Sequence, residues 1–139
     1  MNMKYRTPLK KKTLLVVEDD QSSRLLIKYL LQNMNIDVLD AETGEEALKI
    51  IKDRKVEGML LDIALGSGIT GLELGEKIKN EQCYKETPMV AITAYEKRVL
   101  GNYEEKGFTG YLQKPYSVEQ LRALLDKQSL GKSGPKLLL

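Results

Sequence analysis

The chain has 139 residues, of which 42% are apolar, and its formal net charge at pH 7 is +2. This length suits a single domain with an ordinary hydrophobic core and leaves no room for a second domain. A single cysteine, Cys83, excludes an intrachain disulfide. No apolar run approaches the roughly 18 residues of a membrane span, and the N-terminus lacks the apolar centre of a signal peptide. We therefore expect a cytoplasmic protein with no membrane partner.

Basic residues are concentrated at the N-terminus, where an acid-free stretch contains Lys4, Arg6, Lys10, Lys11 and Lys12. Without these five, 17 basic residues face 20 acidic ones, so the body of the chain carries a charge of −3. We interpret residues 1–11 as a solvated basic arm. Five positive charges outside a folded nucleic-acid-binding domain give only salt-sensitive, nonspecific binding to nucleic acid, so no specific nucleic-acid partner is expected.

Five short apolar runs predict the strands of a sheet, and they lie at Leu14–Val17, Val38–Leu39, Met59–Leu61, Met89–Ile92 and Tyr111–Leu112. In each run the apolar residues occupy consecutive positions instead of alternating with polar ones. This pattern is typical of strands that are covered on both faces.

Helical patterns separate these runs. The first helix, Ser22–Met34, has an apolar stripe, and its opposite, polar face carries Arg24, Lys28 and Gln32. Capping boxes predict the starts of the second, third and fifth helices, at Thr43–Glu46, Thr70–Glu73 and Ser117–Gln120. A fourth helix, about Glu96–Lys106, is interrupted by Gly101, which costs about 1 kcal/mol relative to alanine. We expect this helix to be short or mobile.

Strands that alternate with helices imply parallel pairing through right-handed crossovers. The predicted fold is therefore a doubly wound α/β sandwich with helices on both faces of a five-stranded sheet. It spans residues 12–128, and residues 129–139, rich in glycine, proline and lysine, read as a C-terminal tail. In such sheets ligands bind at the carboxyl ends of the strands.

Polar side chains follow the predicted strands at that edge: Glu18, Asp19 and Asp20 after the first, Asp62 after the third, Thr93 after the fourth and Lys114 after the fifth. A single acid after a strand is more often a helix cap or a loop residue, so the prediction depends on the combination. Clustered carboxylates need a cation, and an oxygen site with open positions suits Mg²⁺. Asp62 would then attack a phosphoryl group, whose oxygens would bind Lys114 and Thr93.

Four fragments in order resemble the receiver domain of two-component response regulators: LLVVEDDQSS, GMLLDIALGSGITGLEL, PMVAITAY and GYLQKPYS. The resemblance covers roughly residues 12–128. It implies the flavodoxin-like receiver fold with strand order 2-1-3-4-5. It also implies that Asp62 accepts a phosphoryl group from the phosphohistidine of a partner histidine kinase or histidine phosphotransfer protein.

The resemblance further assigns metal ligands. Asp19 would bind Mg²⁺ directly, and Glu18 would hold it mainly through water. Asp62 would be both ligand and phosphoacceptor, and the backbone carbonyl of Ala64 would complete the protein ligands. Asp20 would lie outside the coordination shell.

Other assignments concern the fourth and fifth strands. Thr93 and Tyr111 match the pair whose rearrangement in this family reports phosphorylation to the surface of the fourth helix, fifth strand and fifth helix. Lys114 matches the lysine of the family's catalytic site. Pro115 matches the residue that commonly follows this lysine through a cis peptide bond.

The chain departs from the family pattern in two places. The family often has a proline four residues after the acceptor and a glycine eight residues after it, whereas this chain has Gly66 and Thr70, with the glycine delayed to Gly71. We interpret this one-residue insertion as a subfamily variant, and a merely flexible glycine loop is an equal alternative. Between Thr93 and Lys114 the chain is one residue shorter than is usual in the family. We therefore expect the surface of the fourth helix, fifth strand and fifth helix to differ from that of other receivers.

Two other classes of protein share parts of this pattern. A haloacid dehalogenase-type phosphotransferase also forms an aspartyl phosphate, but its nucleophile lies on the first strand in an Asp-x-Asp pattern. A noncatalytic interaction module with a degenerate site would lack at least one of the residues of the acidic cluster, Thr93 or Lys114, and all of these are present. A receiver turns over no separate substrate, so we do not expect an enzyme.

The phosphodonor must be external, because the chain has no histidine. We expect either a stand-alone receiver that acts on a downstream protein target or a fragment of a hybrid histidine kinase or larger regulator. A phosphorylation-dependent homodimer through the fourth-helix face is an open alternative.

Overall fold

Five parallel strands form one sheet in the order β2-β1-β3-β4-β5. The computed structural model describes residues 11–131. The strands are β1 (Thr13–Val17), β2 (Asp37–Ala41), β3 (Gly58–Asp62), β4 (Met89–Thr93) and β5 (Gly110–Gln113), and every neighbouring pair is parallel. The strand order that the family resemblance implies is confirmed.

Four α-helices connect or follow the strands within the described range: α1 (Gln21–Asn33), α2 (Gly44–Asp53), α3 (Gly71–Lys79) and α4 (Val118–Lys127). The capping boxes predicted at Thr70 and Ser117 are complete, and α4 is the predicted fifth helix. Thr43 caps α2 by accepting the Glu46 N–H, but the Glu46 carboxylate accepts the N–H of Glu42 instead of completing the box.

The segment between β4 and β5 is not the predicted α-helix. It contains two short 3-10 helices, Lys97–Leu100 and Tyr103–Lys106. Gly101 separates them with φ +60° and ψ −131°, a conformation that cannot continue a right-handed helix. Neither 3-10 helix has a side-chain cap. The interruption at Gly101 is therefore confirmed, but the expectation of an α-helix over 96–106 is wrong.

The sheet separates two apolar layers, because alternate residues of each strand point to opposite faces. On one face, Leu15 and Val17 of β1 pack with α2, α3 and the segment between β4 and β5, which contributes the buried Leu100 and Tyr103. On the other face lie Leu14 and Val16, packed against α1 and α4. Both faces of the central strands are thus covered, as their continuous apolar runs predict.

The packed part of the chain continues past residue 128, where the sequence places the start of a tail. Leu130 is 2% exposed, and its N–H donates to the carbonyl of Leu125 at 2.7 Å. A Cβ at Gly58 would lie 2.5 Å from Leu130 Cδ1, so this glycine makes room for the leucine. Leu130 therefore belongs to the core.

The rest of the predicted tail, residues 132–139, and positions 1–10 of the predicted basic arm lie outside the described residues. None of the helices within residues 11–131 has the length and apolar character needed to cross a lipid bilayer.

Leu130→Ala should lower the free energy of unfolding by about 2–5 kcal/mol, because a buried leucine would be replaced by a cavity against β3. Leu25→Ala is the matched control, since Leu25 is 54% exposed and its truncation should change stability by less than about 0.5 kcal/mol. Urea unfolding measures both. Equal effects of the two substitutions would contradict the assignment of Leu130 to the core.

Candidate functional site

Three carboxylates meet where β1 and β3 end side by side. Glu18 directly follows β1, and Asp62 is the last residue of β3. One carboxylate oxygen each from Glu18, Asp19 and Asp62 lies within 4.8 Å of the others. Glu18 and Asp62 are buried, whereas Asp19 is exposed. This is the cluster that the sequence predicts, and its hard oxygen donors suit Mg²⁺.

Lys114, the residue directly after β5, brings a positive charge into the cluster. Its Nζ donates to Asp62 Oδ2 at 3.1 Å and also to Glu18 Oε1. Burial of the ammonium favours a lower pKa, but the two carboxylates outweigh it and raise the pKa of Lys114. The side chain therefore stays cationic and offsets the repulsion between the acids. The peptide bond between Lys114 and Pro115 is cis, as the resemblance implies.

Glu18 is the acid that burial affects most. Burial raises its pKa to about 7, and a hydrogen bond with Asp62 acts in the same direction, whereas the bond from Lys114 lowers it. The other oxygen of Glu18 accepts the backbone N–H of Asp20 at 3.1 Å. Near neutral pH, a proton on Glu18 therefore relieves part of the charge repulsion.

Asp20, the third acid of the run, belongs to α1 instead of to the cluster. Its Oδ2 accepts the Ser23 N–H at 2.8 Å, which makes Asp20 the N-cap of the helix. The hydrogen bonds from Ser23 lower the pKa of Asp20. Three consecutive acids are thus tolerated because they face different partners.

Arg24 supports the site, although its place in the sequence pattern suggests a solvated helix face. It is 8% exposed, and its Nη1 donates to the backbone carbonyl of Glu18 at 2.9 Å. Its remaining nitrogens pair with Asp40 and Glu42, both at 3.2 Å. The Glu18 N–H in turn donates to the carbonyl of Ala41 at 3.0 Å. Both sides of the Glu18 backbone are therefore fixed.

Thr93 and Tyr111 are joined through the backbone of Tyr95. Thr93 ends β4 next to Asp62 and is fully buried, and its Oγ1 accepts the Tyr95 N–H at 3.2 Å. The Tyr111 hydroxyl donates to the Tyr95 carbonyl at 2.5 Å. Sequence reasoning pairs the threonine with the tyrosine but misses this backbone bridge, since backbone contacts leave no residue signature.

Of the other predicted ligands, Ala64 lies beside the acceptor. Its N–H donates to Asp62 Oδ1 at 3.0 Å. The metal-binding role of its carbonyl stays a prediction.

A family model of the response regulator receiver domain matches residues 14–126, which include all of the predicted site residues. The chain belongs to this receiver domain family. Receiver domains are the signalling modules of two-component systems, so the match does not favour the haloacid dehalogenase-type alternative.

The receiver is similar to proteins from several bacteria. It is 33% identical over 127 residues to the phosphate regulon transcriptional regulatory protein PhoB of Pseudomonas aeruginosa, a match that covers 89% of this chain and 54% of that protein. The chain spans about half the length of PhoB and of several other curated relatives.

Two solved structures share its fold. The chemotaxis response regulator CheY4 of Vibrio cholerae matches with a TM-score of 0.80 at 26% identity, covering 85% of this chain and 98% of that one. The response regulator TrrA of Thermotoga maritima, solved in complex with Mg(2+)-BeF, matches with a TM-score of 0.76 at 30% identity. That match covers 84% of this chain and 98% of TrrA.

A cavity of about 400 Å³ lies beside the acidic cluster of this receiver, between α1 and the connection from β5 to α4. Glu18, Asp62 and Lys114 form its polar wall, and Leu26 and Tyr116 belong to its apolar wall. On the same helix as Leu26, the large side chains of Leu25 and Tyr29 are also exposed. The acidic site therefore adjoins an apolar surface.

The raised pKa of Glu18 predicts a pH-dependent stability of the receiver. An acid whose folded pKa lies above its unfolded value stabilises the fold fully below about pH 4.5, and this stabilisation is lost as the pH rises through about 7. With a chelator present, the free energy of unfolding should therefore fall between about pH 5 and about pH 8, more in the wild type than in Glu18→Gln. Urea unfolding measures this free energy, and an equal decrease in the wild type and in Glu18→Gln would contradict the prediction.

Proposed function

We propose that this receiver is the phosphoacceptor module of a two-component phosphorelay and that Asp62 takes a phosphoryl group from a partner phosphohistidine. The observation that carries the proposal is the buried Asp62 carboxylate held between two further carboxylates and an ammonium group 3.1 Å away. A structural ion pair would need only one acid for Lys114. The extra acids, at the carboxyl edge of a parallel sheet, favour a site that handles a metal ion and a phosphoryl group.

Mg²⁺ is the proposed cofactor, bound by Glu18, Asp19, Asp62 and the carbonyl of Ala64. The ion would neutralise the carboxylates and the incoming phosphoryl oxygens. The geometry of the three acids and the Mg(2+)-BeF complex of TrrA support this proposal. Because Asp19 is the exposed member, it gives the ion access from solvent.

The proposed chemistry is a single transfer. A carboxylate oxygen of Asp62 forms a bond to phosphorus, the phosphorus–nitrogen bond of the phosphohistidine breaks, and the histidine nitrogen keeps that electron pair. Lys114 is near enough to Asp62 to bind a phosphoryl oxygen once the transfer has occurred, and the hydroxyl of Thr93 would bind another. The receiver modifies its own side chain, so we propose that it is not an enzyme with a separate substrate.

The proposed donor is a histidine kinase or a histidine phosphotransfer protein, because this chain has no histidine. Leu26 lines the cavity at Asp62, and Leu25 and Tyr29 are exposed on the same helix; these apolar side chains support a protein donor. The proposal places the protein in the cytoplasm, where a lone cysteine stays reduced.

The proposed output runs through Thr93, Tyr95 and Tyr111 to a downstream protein target. The Tyr111 ring lies 6.2 Å from that of Tyr103, so a change at Thr93 would reach the segment between β4 and β5. The face predicted from the fourth helix, fifth strand and fifth helix would then consist of the two 3-10 helices, β5 and α4. A phosphorylation-dependent homodimer would use this same face.

Asp62→Asn should abolish phosphorylation, because an amide oxygen is a far weaker nucleophile than a carboxylate. After incubation with acetyl phosphate and Mg²⁺, intact mass spectrometry should show the addition of one phosphoryl group to the wild type and none to Asp62→Asn. Asp20→Asn is the matched control: it removes a neighbouring acid outside the cluster, keeps a capping side chain and should gain the phosphoryl group. A gain that survives Asp62→Asn would place the acceptor elsewhere.

A further inference from the structure

The loop between β3 and α3, residues 63–70, contacts the acidic site and α2 at the same time. The backbone N–H of Gly66 donates to Asp19 Oδ2 at 2.8 Å. Three residues later, the N–H of Ile69 donates to Glu45 Oε2 of α2 at 3.2 Å. A short stretch of backbone therefore joins a carboxylate of the site to the first turn of a helix.

The contact at Gly66 depends on the residue type. A Cβ at this position would lie 2.6 Å from Asp19 Oδ2, so any side chain would push the carboxylate away. A proline, which the family often has four residues after the acceptor, would have no N–H to donate. Asp19 is the exposed acid of the cluster, and this hydrogen bond holds one of its carboxylate oxygens toward the loop.

The loop also lies directly against α2. Gly68 has φ +74°, and a Cβ there would lie 2.4 Å from Glu45 Oε1. Ile69 lies over Gly44, where a Cβ would be 2.5 Å from Ile69 Cγ1. Close backbone approach at two glycines shows an ordered loop that is fitted to the helix, which argues against the interpretation of a merely flexible one.

The far end of the loop is fixed as well. The complete capping box of Thr70 and Glu73 anchors it to α3. A Cβ at Gly71 would lie 2.2 Å from the backbone carbonyl of Asp62, so the end of the loop passes directly over the acceptor strand. Because the loop is held by α2 and by the start of α3, a displacement of the Ile69 backbone is transmitted mainly to the backbone of Gly66.

We propose that Glu45 is a positioning residue for Asp19, acting through Ile69 and Gly66, so that the first turn of α2 sets the Mg²⁺ affinity of the acidic site. The Mg²⁺ part rests on the proposed function. Thermodynamic linkage makes the coupling reciprocal, so a cation at Asp19 also changes the contact between Glu45 and the loop. This makes the first turn of α2 a second place where the state of the site is reported, apart from the face near Tyr111.

The test compares three variants of the full chain by NMR. Glu45→Ala removes the acceptor for the Ile69 N–H, whereas Glu45→Gln keeps an acceptor oxygen. Glu46→Ala is the matched control, because it removes the same charge from the same helical turn but its carboxylate contacts Glu42 instead of the loop. The measurements are the amide resonance of Gly66 without metal and a Mg²⁺ titration.

Glu45→Ala should shift the Gly66 amide resonance in the metal-free protein and weaken Mg²⁺ binding about fivefold. Glu45→Gln and Glu46→Ala should stay within about twofold of the wild type, since the loop contact remains. An unchanged Gly66 resonance in Glu45→Ala would overturn the proposal, as would equal losses of Mg²⁺ affinity in Glu45→Ala and Glu46→Ala. A Gly66 shift in Glu45→Ala without any Mg²⁺ response in the wild type would support the positioning of Asp19 and contradict the proposed function instead.

Discussion

Mutual repulsion among Glu18, Asp19 and Asp62 is the constraint on which the organisation of this receiver depends. Acids brought together at a buried edge are stable only if their charge is compensated, and Lys114 supplies the compensation from the far strand. The strand order makes this possible: β1 and β3 are adjacent at the centre, and β4 and β5 follow on one side. Residues nearly a hundred positions apart in the chain thereby share one charge balance.

Each acid is also held by groups outside the cluster. Arg24 fixes the carbonyl of Glu18, the Ala64 N–H binds Asp62, and the Gly66 N–H binds Asp19. These donors keep the Glu18 backbone and the carboxylates of Asp62 and Asp19 in place at little entropic cost, because helix and loop packing already orders the donors. The site is therefore preorganised from three directions.

Local signals in the sequence account for most of the correct predictions. Continuous apolar runs predict the strands, and capping boxes correctly predict the starts of two helices. The polar residues at the strand ends predict the acidic cluster and the position of Lys114 beside it. The strand order came from the family resemblance, because periodicity alone does not order parallel strands. Helical periodicity places Arg24 on a polar face, and the pattern does not reveal its burial because its partners Asp40 and Glu42 lie on and just after the second strand. The sequence pattern does not reveal the burial of Leu130, because this burial depends on the absence of a side chain at Gly58.

The paired 3-10 helices between β4 and β5 give this face of the molecule a distinctive energetic character. Such helices have poorer hydrogen-bond geometry than an α-helix, and here only a few buried side chains, Leu100 and Tyr103 among them, hold the segment down. Local opening of such a segment costs less free energy than unfolding an α-helix in the same place. A downstream target bound at this face would therefore be able to reshape the backbone of the segment on contact, and its affinity would include the free energy of ordering that backbone as well as the side-chain contacts.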